Sequence, residues 1–172
     1  MYCTRNVSDS VVWVGASDRR LALFENLFPI PRGVSYNSYL ILDEKTALLD
    51  TTDASVTRQY LENVSHSLNG KPLDYLIINH MEPDHCANIA ELLLRYPHLT
   101  LVSNAKTFAF VSQFYDLDLT GRTLTVKEGD TLCLGSHTLH FFLAPMVHWP
   151  EVMVTYAVSY THLRAHETLR HL

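Results

Sequence analysis

The stretch NHMEPDHC, Asn79 to Cys86, concentrates groups that bind metals or exchange protons. It directly follows an apolar run, and six consecutive positions hold its four functional residues: His80, Glu82, Asp84 and His85. Such a set suits three kinds of chemistry. One carboxylate can cap a helix, a carboxylate pair can act as acid and base, or the whole set can bind a metal ion.

Metal binding is the interpretation that uses all four groups. In an extended chain His80, Glu82 and Asp84 would share one face. Pro83 favours this conformation because a proline disfavours helical angles at the residue before it. Carboxylates and imidazoles packed this closely are costly unless a cation neutralises them. Capping of a helix that starts near Ala87 would reduce the histidines to surface or core groups, and a metal-free carboxylate pair would leave them unexplained.

A metal site also needs ligands from another part of the chain. The best candidate is His148 in PMVHWPE, because it follows a predicted strand, as the first motif does. Glu151 is able to accept a hydrogen bond from a metal ligand, but a solvated charge is the expected role of a single glutamate. His137 and His140 lie in a strand-rich region, where we expect structural histidines.

Alternating strands and helices must position these groups. The strands are predicted in SVVWVGA, SYLILDEKTALLDTT (two strands around a turn at Asp43 to Lys45), LDYLIIN, LTLVS, RTLTVKEGDTLCLGSHTLHFFLAP (with a turn near Gly135 and Ser136) and VMVTY. The helices are predicted from Ser55 as cap to about Leu68, in ANIAELLLRYP, and in AKTFAFVSQFY with Asn104 as cap. The pattern predicts one layered α/β domain with the motif on a strand-to-helix loop.

The composition limits the class of protein. At 172 residues, 47% hydrophobic and 18% charged, the chain suits a single globular domain. The sequence has neither an apolar run long enough for a membrane span nor a signal peptide, so we expect no membrane partner and a cytoplasmic location. The net charge of −5 is spread along the chain, which argues against a nucleic-acid partner. Three cysteines without paired spacing argue against a disulfide framework.

Several stretches together resemble a known family. HMEPDH is similar to the H-x-[HE]-x-D-H signature of the metallo-β-lactamase fold, and its glutamate resembles the variant of flavodiiron proteins, also called A-type flavoproteins. GVSYNSYL and HWPE agree with that family in the right order, so the resemblance covers roughly Val7 to Tyr156. It implies an αβ/βα sandwich of the metallo-β-lactamase type, incomplete at its C-terminal end.

The resemblance also implies a site and an activity. His80, Glu82 and His148 would bind one non-haem iron, Asp84 would bind the second, and His85 is an ambiguous ligand. Such proteins reduce dioxygen to water, nitric oxide to nitrous oxide, or both, with electrons from a donor such as rubredoxin or a reductase. The electrons pass through FMN in a C-terminal flavodoxin-like domain, and head-to-tail homodimers bring the flavin of one chain to the irons of the other.

Parts of the family pattern are missing from this sequence. A bridging aspartate, a last histidine and the FMN domain have no recognisable counterpart, so we expect the chain by itself to be poorly active. Residues 157–172 look foreign to the family, and we predict a domain of residues 1–156 followed by an artefactual, disordered or helical tail. The alternative activity is that of a zinc hydrolase of the same fold, acting on esters, thioesters or phosphodiesters.

Overall fold

The fold is known here from a computed structural model, which describes residues 2–24 and 26–159. Its strands, most of them short, are β1 (Arg5–Asn6), β2 (Val11–Trp13), β3 (Ala16–Asp18), β4 (Leu23–Phe24), β5 (Phe28–Pro29), β6 (Val34–Tyr36), β7 (Tyr39–Ile41), β8 (Ala47–Leu49), β9 (Tyr75–Ile77), β10 (Thr100–Ser103), β11 (Thr123–Thr125), β12 (Thr131–Cys133), β13 (His137–Leu143) and β14 (Met153–Ser159). Its helices are α1 (Thr57–Leu68), α2 (Pro83–Cys86), α3 (Ile89–Arg95) and α4 (Ala105–Phe114). None of the described helices is long and apolar enough to cross a bilayer.

Two sheets carry the fold. The larger has the strand order β1-β2-β7-β8-β9-β10-β11, in which β8 to β11 run parallel and the preceding strands pair antiparallel. The smaller is the antiparallel sheet β12-β13-β14. Two short ribbons, β3 with β6 and β4 with β5, complete the paired strands. The predicted alternation of strand and helix is confirmed.

Alternating side chains of the larger sheet pack into two separate hydrophobic cores, one on each face. Leu40, Leu76 and Leu101 face α1, α3 and α4, whereas their neighbours Ile77 and Val102 face the smaller sheet. This is the period of two that a strand imposes on a sheet covered on both faces. The described residues therefore form a helix layer, a large sheet and a small sheet, and this layering confirms the predicted metallo-β-lactamase-like sandwich.

A buried hydrogen-bond chain, which we call the Asp43 clamp, joins the two sheets. His137, the first residue of β13, places Nδ1 2.7 Å from Asp43 Oδ2 and Nε2 3.0 Å from Ser10 Oγ. Asp43 also accepts hydrogen bonds from the backbone amides of Glu44, Ser136 and His137. His137 therefore has the structural role expected for it.

Local details differ from the sequence prediction in two places. SVVWVGA is not one strand: β2 and β3 are separated by two residues and belong to different sheets. A Cβ atom at Gly15, between them, would lie only 2.0 Å from the carbonyl oxygen of Tyr36. Ser55 is not the helix cap, because Asp53 accepts its backbone amide at 2.8 Å and caps a 3₁₀ turn, Ala54–Val56, that precedes α1. The predicted cap of α4 is confirmed, since Asn104 accepts the amides at the first turn of that helix.

The end of the described chain bears on the predicted tail. β14 continues for three residues beyond Tyr156 and pairs with the beginning of β13 there. Residues 160–172 lie outside the described part of the structure. A domain boundary at residue 156 therefore stays a prediction.

Candidate metal centre

The candidate site lies where two neighbouring parallel strands end. β8 pairs in parallel with β9, and Leu49 is level with Ile77. Asp50 therefore comes at the same sheet edge as Asn79, the residue before His80. Asp50 accepts the backbone amide of Asn79 at 2.7 Å, which ties the start of the motif to the end of β8. The rigid sheet thus fixes the first residues of the loop.

The chain turns into a helix halfway through the motif. Glu82 is extended, with φ −66° and ψ 145°, and Pro83 begins the four-residue helix α2. Proline suits this first helical position because its ring sets the right φ and its missing amide has no helical partner to lose. The predicted extended conformation is therefore right through Glu82 and wrong for Asp84, which lies on α2.

Three of the predicted ligands meet in one cluster. Glu82 Oε2 lies 3.0 Å from His80 Nε2 and 3.2 Å from His148 Nε2. In the described part of the chain these three side chains form a group whose ligand atoms lie within 4.8 Å of one another. His80 and Glu82 are mostly buried, whereas 66% of the His148 side chain is exposed. The spacing suits a shared cation, and the exposed side remains open.

Asp84 and His85 lie beside this cluster rather than in it. The His85 ring is 5.3 Å from that of His80, and its two nitrogens approach Asp50 Oδ2 at 3.5 Å and Asp84 Oδ2 at 3.7 Å. Burial alone would lower the pKa of His85, but the Asp50, Asp84 and Glu82 carboxylates raise it to about 9. Burial also raises the pKa of Asp84, whose Oδ1 is buried without a hydrogen-bond partner.

Glu151 is buried against the motif, so the expectation of a solvated charge is wrong. Only 1% of its surface is exposed. Its Oε1 lies 2.7 Å from His80 Nδ1 and accepts the backbone amide of Met81 at 3.0 Å, while Oε2 is buried without a hydrogen-bond partner. A carboxylate on the far nitrogen of a ligating histidine is a common feature of metal sites.

The donor set fits a metal ion. Carboxylates outnumber imidazoles at this edge of the sheet, with Asp50, Glu82, Asp84 and Glu151 around His80, His85 and His148. Imidazole and carboxylate atoms at 3.0 to 3.2 Å need a proton or a cation between them. The buried, unpartnered oxygens of Asp84 and Glu151 add to this demand.

A cavity of about 430 Å³ opens onto the carboxylates of Glu82 and Asp84. Its wall is mostly apolar on the side of the β4–β5 ribbon and acidic on the side of the motif, with Leu21, Leu23, Phe24, Asn26, Tyr36, Asp53, Glu82, Pro83 and Asp84 as its lining. A small molecule in this cavity would contact Glu82 and Asp84 directly.

Asp50 is a residue of the candidate site that sequence reasoning did not identify. Its signal was present, because it follows the apolar run of β8 in the same way as the motif follows β9. Side chains at the carboxyl ends of adjacent parallel strands share one edge of a sheet. That rule applied to the LLDTT stretch would have placed Asp50 near His80.

The comparison with protein families supports the resemblance seen in the sequence. A family model described as "ODP family beta lactamase" matches residues 34–163. Among curated proteins, a putative diflavin flavoprotein A 1 of Thermosynechococcus vestitus is 38% identical over 77% of this chain and 23% of its own length. The anaerobic nitric oxide reductase flavorubredoxin of Klebsiella pneumoniae is 35% identical over 87% of this chain and 31% of its own length.

Solved structures of flavodiiron proteins have the same fold as this chain. The flavodiiron protein from Giardia intestinalis superposes with a TM-score of 0.84 and 26% identity over 91% of this chain and 38% of its own. Rubredoxin oxygen:oxidoreductase from Desulfovibrio gigas superposes with a TM-score of 0.82 and 31% identity over 91% of this chain and 40% of its own. The chain spans only about a quarter to two fifths of these relatives. It belongs to the ODP family of beta-lactamase-like domains, the domain that flavodiiron proteins carry in their N-terminal part.

Proposed function

We propose that this chain is the di-iron domain of an oxidoreductase that reduces dioxygen to water, nitric oxide to nitrous oxide, or both. His80, Glu82 and His148 would hold one iron, and Asp84 would bind the second, with His85 beside it. The iron pair, when bound, would supply the electrons to the diatomic substrate. The likeness to flavorubredoxins and to rubredoxin oxygen:oxidoreductase supports both substrates.

The observation that carries this proposal is the place of Glu82 in the cluster. Its carboxylate oxygen lies between the two imidazole nitrogens, within 3.0 to 3.2 Å of each. A mixed imidazole and carboxylate donor set suits iron or manganese and also occurs at some catalytic zinc sites, whereas sites made only of histidines or thiolates favour zinc over iron. The negative charge of Glu82 would also offset that of the bound ion.

The surroundings of the cluster suit an uncharged diatomic molecule. The exposed face of His148 leaves one side of the cluster open, and the adjoining cavity has apolar walls at Leu23 and Phe24. Glu82 and Asp84 form part of the lining of this cavity. An apolar cavity beside the ligand carboxylates can admit a small neutral molecule, and the protein needs no charged group to recognise it.

Other parts of the reaction would lie elsewhere in a longer protein. The matched relatives are three to four times as long as the matched region, which leaves room for a flavodoxin-like domain with FMN and for the remaining iron ligands. An electron donor such as rubredoxin or a reductase would reduce that flavin, and a head-to-tail homodimer would bring it to the irons. The cytoplasm is the location that we propose for such a protein.

A zinc hydrolase is the second candidate. Three protein ligands with one open side, as His80, Glu82 and His148 form here, are also the arrangement of catalytic zinc sites. In that case the substrate would be an ester, thioester or phosphodiester.

Metal selectivity separates the two candidates. The chain, purified without oxygen, is loaded in separate samples with Fe²⁺ or with Zn²⁺, because zinc outcompetes ferrous iron at most nitrogen and oxygen sites whatever their function. Retained metal, reduction-sensitive absorption, consumption of nitric oxide with a chemical reductant and ester hydrolysis are measured. The redox proposal expects retained iron that is lost in Glu82→Ala and kept in Glu91→Ala, a change of an exposed acid on α3. Zinc retention with ester hydrolysis, and no redox-active iron, would refute it.

A further inference from the structure

Glu151 makes two hydrogen bonds through one oxygen and has no exposed path to solvent. Oε1 contacts both His80 Nδ1 and the amide of Met81, and the side chain is fully buried. A hydrogen-bonded, buried carboxylate of this kind resists displacement, because any shift leaves an imidazole N–H and a backbone amide unsatisfied. Glu151 therefore fixes the position of the His80 ring relative to its own backbone.

The same contact selects one form of the imidazole. Oε1 already accepts the backbone amide of Met81, so it acts as an acceptor at this contact and His80 Nδ1 is the donor. In the neutral ring the lone pair then lies on Nε2, the nitrogen that faces Glu82 and His148. The tautomer that presents Nε2 to a metal ion is thus the one that Glu151 stabilises.

The backbone of Glu151 is anchored as firmly as its side chain. Its carbonyl oxygen accepts a hydrogen bond from Asn104 Nδ2 at 2.7 Å, and Asn104 caps α4. Two residues later, the amide of Met153 donates to the carbonyl of Asn79 at 3.0 Å. His148 stands only three residues before Glu151, so the loop that supplies the exposed ligand is held against the strand end that supplies His80.

We propose that Glu151 is the positioning residue of the metal centre. It holds His80 in the Nδ1–H tautomer, and through the HWPE turn it keeps His148 within reach of the same ion. This inference rests on the proposed metal site and not on the choice between iron and zinc.

Cobalt titration tests the proposal, with Co²⁺ as a spectroscopic probe of the site and a competing chelator to measure affinity. Glu151→Ala should weaken Co²⁺ binding by about 10- to 100-fold. Glu151→Gln keeps an acceptor oxygen for both donors, so its loss should be smaller. In a double-mutant cycle with His148→Ala, the two losses should not add, because each change disturbs the same ligand pair.

The Asp43 clamp offers a matched control. Asp43 and Glu151 both contact a histidine Nδ1 at 2.7 Å and both accept a backbone amide, but Asp43 touches none of the ligands. Asp43→Ala should destabilise the fold and leave Co²⁺ affinity within about twofold, since sites without shared partners behave independently. If Asp43→Ala weakens Co²⁺ binding as much as Glu151→Ala, the effect is one of general stability and the proposal is wrong.

A second readout needs no metal. Nitrogen-15 spectra of the metal-free chain, with His80 assigned from a His80→Ala variant, report which ring nitrogen carries the proton. Protonation of Nδ1 is expected for the unaltered chain and for Glu151→Gln, and its loss is expected for Glu151→Ala. An unchanged tautomer and unchanged Co²⁺ affinity in Glu151→Ala would overturn the inference while leaving the metal site intact. A chain that binds no Co²⁺ would contradict both.

Discussion

Replacement of Asp43 by asparagine should remove a large part of the stability that links the two sheets. The Asp43 carboxyl is 6% exposed, and burial alone would raise its pKa. Hydrogen bonds from the His137 ring and from the amides of Ser136, Glu44 and His137 more than offset this and lower the pKa from 3.8 to about 2. At roughly 1.4 kcal/mol per pKa unit, the ionised form contributes about 2 kcal/mol to the free energy of unfolding.

The sign of the pH dependence follows from the lowered pKa. The folded state holds the Asp43 carboxyl ionised more strongly than the unfolded chain does, so the stabilisation is complete above the unfolded pKa near 3.8. It is lost progressively as the pH falls from there through the folded value of about 2. The unaltered chain should therefore exceed Asp43→Asn by about 2 kcal/mol at pH 7, and the gap should narrow below about pH 4.

Urea unfolding, followed by the fluorescence of Trp13 and Trp149, measures this gap at pH 7, 5, 4 and 3. Asp116→Asn is the control, because Asp116 is an exposed carboxylate on the loop after α4. The free energy of unfolding of Asp116→Asn should differ from that of the unaltered chain by no more than about 0.5 kcal/mol, as is usual for surface changes. A gap for Asp43→Asn that is equally small at pH 7, or that does not change with pH, would refute the reasoning.

Three further variants test other parts of the account. Asn63→Ala removes an amide that donates to the carbonyls of Val14 and Gly15, and it should cost about 3 kcal/mol in urea unfolding; a cost below about 1 would show that these groups find other partners. Leu76→Ala empties a fully buried position of β9 and should cost about 2–5 kcal/mol by the same assay, whereas a near-neutral result would contradict the described core. Glu82→His makes the cluster histidine-rich and should shift the retained metal from iron to zinc in elemental analysis. An unchanged ratio of iron to zinc would show that Glu82 does not determine metal selectivity.

Much of the fold could be predicted because its signals are local. The apolar run of β9, the proline after α3 and the asparagine before α4 each specify an element through its own backbone chemistry. The need for a glycine at position 15 could not be predicted in this way. It depends on the carbonyl of Tyr36, twenty-one positions along the chain, which leaves no space for a side chain.

The candidate site also has features that local sequence predicts and features that depend on distant contacts. His80, Glu82 and His148 could be selected from residue types and from their position after strands, and the structure brings them together. The burial of Glu151 could not, because it results from contacts with His80 and Asn104, which are distant in sequence. The helical placement of Asp84 was also missed, since Pro83 both extends the residue before it and starts the helix after it.

The iron content of the chain after purification without oxygen tests the proposed metal centre most directly. The unaltered chain is compared with a variant in which both His80 and Glu82 are alanine, each with matched circular dichroism. We expect iron to co-purify with the unaltered chain and to be absent from the variant. Equal iron in both, or none in the unaltered chain, would contradict the assignment of His80, Glu82 and His148 to an iron site.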